Sequence, residues 1–283
     1  MTGACPWCNA PRVAGPSCPR CGANYARAED RAVGDPALEF KLCVAAIPVA
    51  LALGLAFHIF TPSLQRIFLA MPIHELGHAV TAWFCGYFAV PTLWRTLIPE
   101  ERGLIAPIVL AAALAFLIYR AYAAERTYLI LLGAVLLVIQ AVGTLLIPER
   151  TAEMLFTFGG DGMGMVLATA LMGTFFFGKR TQLYKGWLRW GFLAIGAAAF
   201  VDMFSTWVSG AIPFGEIEGV GLSDPMRLVE EHGWSAAAMV RRYVIVGSAC
   251  LVALALVYAW GIRVAWRNTT NSPWHGACGA TGL

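Results

Sequence analysis

Charged side chains are scarce in this sequence. Lysine, arginine, aspartate and glutamate make up 13% of its 283 residues, about half the share found in a soluble domain. The scarcity excludes an ordinary solvated globule, and a net charge of only +3 leaves no basic footprint for nucleic acid. Also missing is an apolar run near the start. The first 40 or so residues are polar and rich in Pro, Gly and Cys, so they are not a secretory signal. They are expected to form a small head outside a bilayer. Internal repeats and low-complexity tracts are absent too.

Apolar length is what the sequence has in abundance. Hydrophobic residues reach 59% and the mean hydropathy is +0.66. Seven apolar stretches, about 42–60, 66–90, 104–122, 127–147, 153–178, 188–208 and 241–265, each approach the ~20 residues that cross a hydrocarbon core. The expected fold is therefore an all-α polytopic membrane protein. Its organisation reads as a head over 1–40, a transmembrane domain over 41–268 and a C-terminal tail over 269–283. The segment 90–103 is a plain loop or a re-entrant stretch lining a cavity. A longer polar connection runs over 209–242. Within it, Ser223-Asp224-Pro225 reads as a helix start, Gly233 as that helix's end and Ser235 as the cap of the next.

The head carries Cys5-Pro6-Trp7-Cys8 and, nine residues on, Cys18-Pro19-Arg20-Cys21. Two C-x-x-C pairs at this spacing predict a four-thiolate zinc site. The stretch resembles a zinc ribbon of the short C-P-x-C type. Four thiolates close the coordination sphere, so this zinc is structural and replaces the core so short a head lacks. Such a head serves as a docking module for a protein partner, or as a cap. Thiolate ligands also favour a reducing compartment, hence a cytosolic head on a prokaryotic cytoplasmic membrane. Seven crossings counted from there put Lys179, Arg180, Lys185 and Arg189 on the far side, against the positive-inside tendency. The remaining cysteines, Cys43, Cys85, Cys250 and Cys278, stand singly and read as small hydrophobes.

Inside the second apolar stretch lies Met71-Pro72-Ile73-His74-Glu75-Leu76-Gly77-His78-Ala79. On a helix, His74 and His78 stand one turn apart on one face, where both imidazoles reach a single zinc ion. Glu75 stands about 100° round the helix, placed to take a proton from a water beside the metal. Ionisable residues in an apolar helix cost roughly 2.5–3.5 kcal/mol each, and a bound metal supplies the compensation. Pro72 opens or kinks the helix just before His74, and Gly77 leaves room for another backbone or a substrate.

The HELGHA run in an apolar helix, with an Asp-Gly in a later one, resembles the site-2-protease-type intramembrane zinc metalloproteases over about 66–180. The resemblance implies a catalytic zinc held by His74, His78 and Asp161, with Glu75 activating water. The family's usual N-P-D-G or L-D-G stands here as Gly159-Gly160-Asp161-Gly162, and no inserted periplasmic domain is present. From the residues alone, Asp161 and Asp202 both qualify as the third ligand. Asp161 is favoured by its glycine run, while Asp202 suits a second-shell or arginine-paired role. The expectation is a membrane-embedded zinc protease with one catalytic and one structural zinc, acting on membrane-protein or membrane-associated peptides. The rival is a membrane adaptor or ion-transport component whose ribbon binds a partner.

Overall fold

The computed structural model describes residues 36–177, 187–210, 212–217 and 221–270, together with 11, 13 and 18–20. Of the expected ribbon ligands, Cys5, Cys8 and Cys21 lie outside the described residues, while Cys18 is described and buried. The tail beyond 270 lies outside them as well. The chain divides into two compact units, Met1–Ala45 with Trp260–Leu283, and Ala46–Ala259. In the first, Phe40 and Trp266 meet edge to face at 5.3 Å.

The second unit contains the site residues, and its first and last helices each continue into the first unit. Its helices are α1 (Pro36–Phe60, entering from the first unit), α2 (Pro62–Gln65), α3 (Met71–Phe84), α4 (Ile105–Ala123), α5 (Thr127–Leu145), α6 (Glu149–Gly173), α7 (Leu188–Ser209), α8 (Asp224–Glu230) and α9 (Ala236–Thr270). A π-turn, Arg66–Ala70, joins α2 to α3. Two short antiparallel hairpins fill the connections: β1 (Val90–Pro91) with β2 (Thr96–Leu97), and β3 (Glu216–Ile217) with β4 (Gly221–Leu222).

Six helices among the described residues are long and apolar enough to cross a membrane: α1, α4, α5, α6, α7 and α9. The sequence reading counts a seventh over 66–90. There the backbone stays helical from Pro62 to Phe84, but a π-turn at 66–70 divides it and the regular stretch is Met71–Phe84. Two physical causes shorten it. Pro72 has no amide proton and its ring crowds the carbonyl four residues back, and the turn before it widens so that the Met71 amide reaches the Arg66 carbonyl. Beyond Cys85, the chain leaves the helix and folds back as the β1–β2 hairpin. The Gly103 amide returns to the Gly86 carbonyl at 3.3 Å, and Thr96 is brought up beside Glu75. The segment 90–103 lines a cavity, through Val90, Trp94 and Thr96 among others.

Burial separates inner from outer helices. Half of the apolar window of α6 and of α7 is buried, against 17–22% for α1, α4, α5 and α9. The outer helices present Leu131, Val135, Val252 and Leu256 outward, a surface suited to hydrocarbon rather than water. The tightest inner contact is between α3 and α6. A Cβ at Gly77 would stand 2.5 Å from the Gly159 carbonyl oxygen and 2.6 Å from that of Gly160. Only hydrogen at Gly77 lets the two backbones come so close.

Candidate metal centre

Helical spacing puts His74 and His78 on the face of α3 that meets α6. Their rings stand perpendicular with centroids 4.6 Å apart. His78 Nδ1 lies 2.6 Å from the Phe156 carbonyl oxygen. A carbonyl only accepts, so Nδ1 carries a proton, and in the neutral ring Nε2 then keeps its lone pair. His74 Nδ1 lies 2.8 Å from Asp161 Oδ1 and donates to it by the same logic. Both Nε2 atoms then point at one place, 3.1 Å apart.

A carboxylate completes the convergence. Asp224 Oδ2 stands 3.2 Å from His74 Nε2 and 3.0 Å from His78 Nε2. With both rings neutral, the three atoms form a nearly equilateral triangle of acceptors. Three lone pairs facing one another need a cation. A proton is shared by two heavy atoms, whereas a metal ion accepts all three. Bonds of ~2.0 Å at tetrahedral angles separate ligand atoms by roughly 3.3 Å, close to the observed edges. His74, His78 and Asp224 are thus the residues that fit a metal ion.

The surroundings carry the same sign. Glu75, Asp161 and Asp202 are buried and Asp224 is partly buried. The guanidinium among them is that of Arg66, with Nη1 2.8 Å from Asp202 Oδ2 and 3.8 Å from Asp161 Oδ1. Three aspartates, Asp161, Asp202 and Asp224, act on one arginine, a negative surplus that a divalent ion would balance.

The sequence candidates in the apolar helices each have a place. Glu75 is buried on the next face of α3, with Oε2 2.7 Å from Thr96 Oγ1. The same Thr96 Oγ1 is 2.8 Å from the Glu75 carbonyl oxygen, so one hydroxyl of the β1–β2 hairpin meets both the side chain and the backbone of Glu75. Asp161 joins the group behind His74, its Oδ1 on Nδ1 and its Oδ2 accepting from Trp207 Nε1 at 2.8 Å. Trp207 in turn stacks on Tyr243 at 3.8 Å. Asp202 sits one layer further out, paired with Arg66 and 3.5 Å from His58 Nδ1. The glycine run stays helical within α6. It gives closeness: a Cβ at Gly160 would stand 2.6 Å from both His74 Cε1 and His78 Nε2. The helix backbone lies flat against the paired imidazoles.

Asp224 was not among the sequence candidates. Its motif reads as a helix start, and Ser223-Asp224-Pro225 does begin α8. The sequence places a third ligand in the apolar spans, whereas this carboxylate comes from the connection between α7 and α9. The available signal was a helix start with two possible caps, only one of which the turn requires. Neither forms a side-chain cap in the fold, and Asp224 turns inward.

A cavity of about 1110 Å³ opens onto the imidazoles. Its walls include Arg66 and Glu75, the β2 strand, Pro213 to Gly215, and Asp224 to Arg227 as far as each lines it. Comparison of the chain with family models, with curated proteins and with solved structures returned no match.

Proposed function

We propose that this chain is an integral membrane zinc metalloprotease whose metal is held by His74, His78 and Asp224. The carrying observation is the triangle of acceptor atoms with 3.0, 3.1 and 3.2 Å edges, beside a buried glutamate on the same helix. Nitrogen and oxygen donors with near-tetrahedral edges suit zinc. Zinc in that place supplies Lewis acidity, polarising a peptide carbonyl and acidifying water.

The chain's own groups supply the rest. Glu75 takes a proton from the attacking water and passes it to the amide nitrogen as the C–N bond breaks. Asp161 fixes the His74 tautomer and raises its basicity, as outer-sphere carboxylates do for ligand imidazoles. Phe156 does the same for His78 through its carbonyl. The cavity admits an extended peptide and the water that hydrolysis consumes. Its place among apolar helices favours membrane-protein or membrane-associated peptides as substrates. The N-terminal cysteines are read as a cytosolic ribbon with its own structural zinc, available to a protein partner.

Glu75→Gln tests this reading, because glutamine keeps the volume and cannot take a proton. The purified variant should retain its zinc while cleavage of fluorescein-labelled casein and of a model transmembrane peptide falls ~10²–10⁴-fold. Cleavage persisting near the wild-type rate refutes the mechanism.

A further inference from the structure

Arg66 is cationic, lines the same cavity and has no part in the scheme above. Its π-turn explains its aim. In a regular helix, eight residues at about 100° each place Arg66 roughly 80° away from His74. A π-turn takes up one extra residue, so the two stand as residues seven apart, about 20° from each other. The widened turn brings the arginine onto the ligand face. There Nη1 is 2.8 Å from Asp202 Oδ2 and 3.8 Å from Asp161 Oδ1, the oxygen that receives the His74 proton.

The guanidinium is only partly used. Arginine has five N–H donors in a rigid fork, and among the described residues Asp202 is its one hydrogen-bond partner, through Nη1. The side chain keeps 30% of its surface exposed and lines the cavity. Other cations on the wall are placed differently: Arg227 is engaged by Glu231 at 3.2 Å, and Arg95 is exposed in the β1–β2 turn. A pure counter-ion for Asp202 has no need of a cavity-facing fork.

We infer that Arg66 is a catalytic residue, the donor that stabilises the oxyanion formed when water adds to the peptide carbonyl. In that step the water oxygen bonds to the carbonyl carbon, a water proton goes to Glu75, and the carbonyl π pair moves onto oxygen. The free N–H groups of Arg66 meet that charge. When the C–N bond breaks, the pair returns to re-form C=O and the Glu75 proton leaves with the amine. Asp202 is the positioning residue that holds the fork by one nitrogen and leaves the others facing the cavity. This inference rests on the protease reading, and it assigns the second electrophile of the same site.

The test compares the wild-type chain with Arg66→Gln/Asp202→Asn, which removes both buried charges and leaves neither unpaired, and with Arg66→Lys. Zinc content is measured first. Two probes are then titrated calorimetrically: acetohydroxamate, which chelates a metal, and a Leu-Leu phosphinic dipeptide, whose anionic tetrahedral phosphorus mimics the adduct. The double variant should keep its zinc and its hydroxamate affinity while phosphinate affinity and kcat on casein drop ~10²–10³-fold, the usual cost of one oxyanion donor. Arg66→Lys should retain part of both. Equal phosphinate binding in wild type and double variant overturns the inference, as does loss of zinc from the double variant or failure of the wild type to bind phosphinate. A wild-type chain that binds neither probe instead overturns the metal centre itself.

Discussion

Two aspartates compete for the role of third ligand, and their neighbours separate them. Asp161 has both oxygens engaged, one by His74 Nδ1 and one by Trp207 Nε1. Asp224 Oδ2 faces both ligand nitrogens. Asp224→Ala should therefore abolish zinc binding at this centre, leaving two imidazoles. Asp161→Ala should weaken it by ~10–100-fold, the usual cost of an outer-sphere partner. Zinc titration of both variants in one detergent decides; a tighter-binding Asp224 variant reverses the assignment. The family resemblance implies Asp161 as ligand, and sequence supports that only as far as chemistry reads without distance. The His-Glu-x-x-His pattern was legible because helix geometry fixes the spacing of its members. Asp224 was not legible, because its approach to α3 depends on how 210–223 folds, and no local period encodes that.

At the scale of elements, glycine decides how closely α3 and α6 approach. Replacing Gly77 with alanine gains about 1 kcal/mol of helix propensity, but its methyl meets carbonyl oxygens at 2.5 and 2.6 Å, which belong to a backbone that cannot rotate away. Overpacking of this kind costs ~1–3 kcal/mol, so Gly77→Ala should lower the melting temperature. Gly160→Ala meets side-chain atoms of His74 and His78 instead. It should leave helicity by circular dichroism intact while zinc affinity falls at least ~10-fold, since ligand placement off by a fraction of an ångström is felt directly at the metal. Unchanged zinc affinity in Gly160→Ala contradicts the close seating of α6 on the imidazoles. The apolar runs gave most of the helices by length alone. The hairpin over 90–97 escaped a firm reading because Pro91, Trp94 and Pro99 suit a loop as well as a strand, and the Thr96 contact with Glu75 is made only in the fold.

At the scale of the whole molecule, the number of crossings sets which connections share a side. Counted over seven apolar stretches, five crossings separate the head from the basic run at Lys179, Arg180, Lys185 and Arg189. Counted over the six helices long and apolar enough to span, four do: α1, α4, α5 and α6. An even number returns the chain to the head's side, and a cytosolic head then agrees with the positive-inside tendency that seven crossings violate. The two counts differ over 62–84, where a π-turn divides the helix and leaves a regular stretch of 14 residues. An epitope inserted at position 182 and a tag at the N-terminus should accordingly be cut by protease from the same face in sealed, inverted membrane vesicles. An epitope inserted at Gly233, one crossing further on through α7, should be protected in those vesicles and accessible in right-side-out cells stripped of their outer layers. Protection at 182 with cleavage of the N-terminal tag restores α3 as a full crossing, and would place the metal centre on a spanning helix.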